Sequence, residues 1–360
     1  MRRWKMVKRI LATAILSVLA VSVIGSIHVW AAQPKQVTIR YFNWAPPPPN
    51  PFTRNQAWFW NQVQEKSQGR IKMEYFWGGT LAPPREAMSA LKQGIGDAAL
   101  TMASYHPGQM PLSGVGSLVV SGDLWATSMA TIDLSKNKAI QDELARWDCK
   151  YAAPISTGPY WVLTKKPVKK LDDLKGLKIR ALGEEAKFLA ALGAVPVTMP
   201  YPEIHEALGK GTIDGTDSNW VTCNIYKLYE VAKYMYMVQL GSGGYFMSIT
   251  LRTWNKLSSK DQATITGLAE AQANHYAEDY WIKGNKAGKK VADAAGVQVT
   301  PITAADAARA KEVVKPIWAS WAKAREKNGL PGKAILDLWI KSVQKYEAKS
   351  PYKDIVNKGF

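Results

Sequence analysis

Cysteine and histidine are what this chain has least of. Two cysteines, Cys149 and Cys223, and four histidines are spread over 360 residues. That supply excludes a disulfide-stapled scaffold and leaves little from which to build a zinc site. One bridge between the two thiols and two buried free thiols are equally open readings. Sets of reactive residues are missing too. There is no G-x-S-x-G elbow, no P-loop and no dinucleotide fingerprint. The segment beginning His205-Glu206 lacks the second histidine of a zinc-protease helix. The pairs Asp172–Asp173 and Glu184–Glu185 are neighbours in sequence, so neither a strand nor a helix aims both members at one point; they read as solvated. The expectation is binding without catalysis, and without a cofactor or a metal.

Acidic residues are scarce beside basic ones, 29 against 47, for a formal net charge of +18. Long apolar runs are confined to the start. Five basic residues among the first nine precede an apolar stretch from Ile10 to about Ile24 and a small-residue site at Val29-Trp30-Ala31. This is the three-part layout of a secretory signal peptide, cleaved after Ala31 or Ala32, and the apolar stretch is short for a spanning helix. Removing residues 1–31 takes away those five cations, and 18 − 5 leaves +13. An exported basic chain is not expected to meet nucleic acid. Its charge suits steering of anionic ligands or docking on an acidic partner, and most individual lysines are ordinary solvated charge. A basic polyanion-binding protein and a secreted enzyme with an unrecognised site are the two readings from other classes.

What is present is an alternation of strand-like and helix-like segments, which points to an α/β architecture. "QVTIRYFNWA", "IKMEYFWGG" and "IGDAALTM" read as strands, with a proline-rich loop after the first and helices between. Ser258 or Ser259 is placed to cap a helix running through "KDQATITGLAEAQANHYAEDYW", and Pro316 is placed to kink the helical "AADAARAKEVVKPIWASWAKAREKNG". One pattern occurs twice. Starting at Glu86, Ala90, Leu91, Gly94 and Asp97 fall at the same offsets as Ala207, Leu208, Gly211 and Asp214 do from Glu203. Each copy is a helix stopped by glycine and followed by a strand. Two similar lobes would leave a cleft between them, a favoured place for a ligand.

In "KGLKIRALG" the alternation of Leu177 and Ile179 with Lys178 describes a strand ending at Arg180, with a helix-like segment after Gly183. A guanidinium at the carboxyl end of a strand faces the crevice where open α/β folds bind ligands. Around it, Asp173 to Arg180 form D-L-K-G-x-K-x-R. They are followed by Leu192-Gly193-Ala194, Pro196 to Met199, Tyr201 and Asp214-Gly215. This combination resembles the substrate-binding proteins of tripartite ATP-independent periplasmic (TRAP) transporters, the DctP family. The likeness extends over nearly all of the chain beyond the export signal.

The resemblance implies a two-lobed periplasmic-binding-protein fold. Each lobe is a mixed sheet flanked by helices, and a hinge joins them with a long carboxyl-terminal helix crossing both. Residues 32–156, with roughly 245–285, would form lobe 1, and 157–244, with roughly 286–360, lobe 2. It implies that Arg180 grips a ligand carboxylate, for which a planar guanidinium is suited. Tyr201 would flank the ligand, Asn219 would hydrogen-bond it, Trp220 would wall it, and Asp217 lies in the same segment. From the first lobe, Asn43, Trp44, Thr101, Met102 and Tyr105 fall where the family meets its ligand. Many members carry a second arginine some twenty residues earlier, where this chain has Tyr160 and Trp161. With one cation and aromatic walls, the expected ligand is a small monocarboxylate, with aromatic, 2-oxo and 2-hydroxy acids as candidates. A C4-dicarboxylate-binding member and a sensor-linked binding protein are the near alternatives. The implied partners are the small and large TRAP membrane subunits, the implied place is the periplasm, and the chain is expected to act as a monomer.

Overall fold

The computed structural model describes residues 36–358 except 121 and 243; the signal peptide expected at 1–31 lies outside them. The strands are β1 (Val37–Phe42), β2 (Ile71–Phe76), β3 (Ala98–Met102), β4 (Cys149–Ile155), β5 (Trp161–Thr164), β6 (Lys178–Arg180), β7 (Val195–Val197), β8 (Gly215–Ser218), β9 (Tyr234–Tyr236), β10 (Tyr245–Thr250) and β11 (Gln298–Thr300). They make two sheets, ordered β2-β1-β3-β10-β4 and β11-β9-β5-β8-β6-β7. Both are mixed. β1 is parallel to β2 and β3 while β10 is antiparallel to β3 and β4. In the other sheet β6 is parallel to β7 and β8, and β5 is antiparallel to β8 and β9. Each sheet centres one lobe, and helices cover it.

The doubled pattern is structural. The helices Ala87–Gln93 and Ile204–Lys210 each follow a 3-10 turn and stop at a glycine in the left-handed region, Gly94 at φ 79° and Gly211 at φ 72°. A residue with a Cβ is strained there. The two aspartates then do the same work. Asp97 N donates to the Arg40 carbonyl at 2.9 Å, and Asp97 Oδ2 accepts from Arg40 N at 3.1 Å. Asp214 N donates to the Lys178 carbonyl at 2.7 Å, and Asp214 Oδ2 accepts from Lys178 N at 2.9 Å. β1 and β6 therefore hold equivalent places, and Phe42 in the first lobe matches Arg180 in the second.

The chain passes between lobes at 156–160, leading from β4 into β5, and returns at 237–244, leading from β9 into β10. These passages bond to each other: Tyr160 N donates to the Gly241 carbonyl at 3.2 Å, and Leu240 N to the Tyr160 carbonyl at 2.8 Å. A third passage is helical. Ser258 caps Ser259–Gly267 by accepting from Asp261 N, and Ala269–Tyr276 follows. A π-helical turn, Ala277–Gly284, then leads into Asn285–Ala294.

The helix Ala304–Glu326 crosses both lobes. Near its start Asp306 accepts from Leu171 N and the Tyr236 hydroxyl. Near its end Trp318 and Arg325 donate to the Val119 and Pro111 carbonyls. Pro316 lies inside this helix without ending it; a proline ring removes one hydrogen bond from a ladder of many. Residues after it come back to the first lobe. Ile335, Leu336, Trp339 and Val343 share a core with Leu134 and Ile140, which differs from the expected grouping of everything after about 286 with the second lobe. A second difference concerns Glu184 and Glu185, which are buried rather than solvated. They sit in the first turn of the helix Gly183–Ala191, where the dipole favours anions, and Glu184 accepts from Lys187 Nζ at 2.9 Å. Both cysteines are buried and free, with burial pushing each thiol up to about 12. No helix among the described residues is long and apolar enough to cross a membrane.

Candidate functional site

β6 ends at Arg180, as its alternation predicts, and the next strand over places Thr216 opposite it. The Arg180 side chain is fully buried, 0% exposed. Nε donates to the Met199 carbonyl at 2.9 Å, and the guanidinium lies 4.0 Å above the Tyr201 ring centre, a favourable cation–π arrangement. Nη1 donates to both oxygens of Asp217, at 2.7 and 2.9 Å. Nη2 makes one long contact, 3.4 Å to the Tyr105 hydroxyl. Burial alone would lower the Arg180 pKa; the adjoining Asp217 carboxylate leads the effects that raise it well above the ordinary value. The sequence placed this cation beside a ligand acid. In the structure its partner is a protein acid, and only the Nη2 edge is lightly engaged.

Asp217 is held from all sides. Oδ1 also accepts from Thr216 Oγ1 at 3.0 Å, and Oδ2 from the Tyr201 hydroxyl at 2.8 Å. Tyr105, in the 3-10 turn Ala103–Tyr105 after β3, joins the lobes: its hydroxyl accepts from Tyr201 N at 3.3 Å. Close approach is possible because Gly183 has no side chain. A Cβ there would come within 2.7 Å of Ser104 Oγ, from the same turn as Tyr105.

Between the lobes lies a small aromatic box of about 20 Å³, lined by Trp44, Phe52, Thr157, Tyr160, Tyr201, Thr222, Ile225, Tyr226, Tyr245 and Tyr280. That is room for about one water, so a larger molecule enters only if the walls part. Tyr160 and Tyr245 meet hydroxyl to hydroxyl at 3.4 Å. Burial, foremost, raises the pKa of Tyr105, Tyr160, Tyr201 and Tyr245 above the ordinary phenol value, and that of Tyr280 to about 12. Their hydroxyls are therefore proton donors at neutral pH.

Trp44, Tyr160 and Tyr201 line the box, and Tyr105 and Asp217 meet at the guanidinium. The other candidates have structural employment. Asn219 caps the helix Trp220–Ile225 through Thr222 N at 2.9 Å, and its amide donates to the Thr157 carbonyl at 3.0 Å and the Tyr280 hydroxyl at 3.2 Å. Trp220 packs on Trp161, which packs on Trp281. Asn43 bonds Gln56 and Ala45 N. Thr101 bonds the Phe246 carbonyl and Ser248, and Met102 faces Tyr245 in the β3–β10 ladder. Sequence reasoning missed Phe52, Thr157, Thr222, Ile225, Tyr226, Tyr245 and Tyr280. Tyr245 opens the returning strand β10 and Tyr280 sits on the third passage, so position at a crossing is the signal that marks them. No cluster of three His, Cys, Asp or Glu able to hold a metal occurs among the described residues.

The family model for DctP, "Bacterial extracellular solute-binding protein, family 7", matches residues 44–324. A solute-binding protein of Chromohalobacter salexigens is 25% identical over 279 residues, covering 76% of this chain and 81% of its own. A solved TRAP solute-binding protein from a marine metagenome, described as specific for aromatic acids and crystallised with 3-hydroxybenzoate, superposes with TM-score 0.79. It is 26% identical and covers 87% of this chain and 99% of its own. A TRAP solute-binding protein of Rhodoferax ferrireducens with copurified benzoate also reaches TM-score 0.79, at 25% identity, with coverage of 87% and 99%. The match spans both lobes and the interlobe box; the chain belongs to the DctP family of TRAP periplasmic solute-binding proteins, which bind rather than transform their solutes.

Proposed function

We propose that this chain is the extracytoplasmic receptor of a TRAP transporter for a small monocarboxylate, an aromatic or a 2-oxo or 2-hydroxy acid, which it delivers to the small and large membrane subunits. The observation that carries this reading is one buried guanidinium at the edge of a box walled by tyrosine and tryptophan. Aromatic faces suit a ring or an apolar acyl body. The Nη2 edge of Arg180 and the protonated phenols are donors for the acid head. Two relatives of the same fold, 25% and 26% identical, hold benzoate and 3-hydroxybenzoate, which favours the aromatic end of the range. Binding is capture without chemistry. The lobes part, the acid meets Arg180, and closure removes water from the contact, which strengthens it provided the remaining polar atoms are satisfied.

Calorimetry with benzoate, a 2-oxo acid and succinate tests this. We expect binding of at least one of the first two, and a loss of about 2–5 kcal/mol in Arg180→Ala, the range for truncating one partner of a buried charge pair. Tight succinate binding with no response to the others would overturn the ligand class. Unchanged affinity in a folded Arg180→Ala would remove the clamp.

A further inference from the structure

We propose that the binding site has a second chamber, and that the ligand is an elongated monocarboxylate whose apolar tail passes Ile225 to reach it. This rests on the monocarboxylate reading above and adds the shape of the acid to it. The aromatic box, at about 20 Å³, is far short of the ~150 Å³ in which a protein interior holds a benzene ring. Some part of its wall has to yield to any ring. Behind one part of that wall lies open space. A groove of about 610 Å³ runs between the proline-rich loop after β1, the end of the helix Trp220–Ile225 and the start of Asn285–Ala294. That is the size of an ordinary small-molecule pocket. Ile225 lines both the box and the groove. On the loop side Pro51 lines the groove and its neighbour Phe52 the box.

The wall is weakest at Ile225. Of the ten residues that line the box, Ile225 and Tyr226 are half-buried and the other eight are buried. The buried ones are tied down. Thr157 Oγ1 donates to the Ser242 carbonyl at 2.9 Å, Tyr160 N to the Gly241 carbonyl at 3.2 Å, and Tyr245 sits in the ladders of β10 with β3 and β4. Ile225 ends its helix with an aliphatic side chain that owes no hydrogen bond, so a change of rotamer is enough to move it. The contacts also run in a row. Arg180 lies over Tyr201, Tyr201 stacks on Tyr226 with ring centres 5.7 Å apart, and Ile225 precedes Tyr226. The cation and the groove stand at opposite ends of that row, which suits a long acid with its head at one end. The groove itself is preformed. The Asn50 amide holds the loop by donating to the Pro46 and Pro47 carbonyls at 2.7 and 2.9 Å, and the rings of Pro46, Pro47, Pro49 and Pro51 give it an apolar face. Its Arg54 and Asp279 satisfy each other at 2.8 Å, and Lys283 is exposed to water. Such a lining takes an aryl or alkyl tail.

The test titrates benzoate, 4-phenylbenzoate, its bent isomer 2-phenylbenzoate and a 2-oxo acid into the protein by calorimetry. The linear isomer should bind at least about tenfold more tightly than benzoate, the gain from burying one more ring, and the bent isomer should show no such gain. Ala287→Trp, which fills the groove from an exposed position, and Ile225→Trp, which thickens the partition, should each bring the ratio of 4-phenylbenzoate to benzoate affinity close to one. Melting temperature confirms the fold of each variant. If neither folds, the wild-type isomers decide alone. Benzoate binding with no gain from the linear tail, or an equal gain from both isomers, overturns the inference and leaves the monocarboxylate reading standing. So does binding of the 2-oxo acid alone. An unchanged ratio in either folded variant overturns it as well. No response to any of the four acids removes the parent reading, and this inference with it.

Discussion

Arg180 shows how much a single residue reveals and how much it hides. Its position at the end of a strand was legible from alternation; its stacking on Tyr201, which the resemblance placed only beside a ligand, emerged with the structure. Its pairing with Asp217 was not legible either, because the two residues are far apart in sequence and meet only when β6 lies against β8. Asn219 shows a related limit. The same side chain that suits a ligand contact also suits a helix N-cap, and the cap it makes was not read from the sequence. A residue with a comparable pairing is Asp261. Arg70 Nη2 donates to it at 2.8 Å and the Ser258 hydroxyl at 2.7 Å. The Arg70 hydrogen bond foremost holds its pKa below the usual value. A depressed folded-state pKa stabilises above the unfolded value, about 3.9, and that stability is lost as pH falls through the folded value. Asp261→Asn should lower the melting temperature at neutral pH and flatten its decline below about pH 4. Melting curves from pH 7 to pH 2 check this.

Secondary-structure elements were the most readable layer. Strands β1, β2, β3 and β6 and the glycine-stopped helices lie where period and punctuation place them. The repeated Glu-to-Asp pattern became a shared hydrogen-bond plan, as the Asp97 and Asp214 pairs show. What was hard to read is the run from Ser259 to Ala294, whose helical period continues through a π turn; periodicity carries no mark of a one-residue change in bonding register. The glycine caps give a clean prediction. At Gly211 a Cβ would meet only Lys165 Nζ, at 3.7 Å, so Gly211→Ala is a conformational penalty without a clash. It should cost about 1–2 kcal/mol, the expense of left-handed backbone for an L-residue. Gly94→Ala should cost about the same, because a Cβ there meets only the far end of the exposed Arg252 side chain, at 3.2 Å, which can shift aside. Urea denaturation of the two variants, with the midpoint shifts compared at constant slope, measures both.

For the whole molecule the outstanding feature is charge. The chain carries +18 in full, while beside the box Arg180 and Asp217 pair as one cation and one anion. Steering of an anion would therefore come from the surface, where Lys165, Lys166, Lys169, Lys170, Lys175 and Lys178 are among the exposed cations, in the segment that leads into β6. Surface fields act on encounter and are screened within about 10 Å at 0.1 M salt. The association rate of a carboxylate should fall by about tenfold between low and high ionic strength, while the dissociation rate changes little. Stopped-flow tryptophan fluorescence across a salt series reads both. A dissociation rate that carried the salt dependence would place the steering inside the site instead.

The paired passages have a mechanical corollary. Two separate tethers would let the halves of the molecule wobble and shear. Stitched together by the Tyr160–Gly241 and Leu240–Tyr160 bonds, they act as one ribbon beside the helical third passage. On the function proposed above, capture would then retrace nearly one arc, returning the hydroxyl of Tyr105 to the Arg180 edge where it stands in this structure.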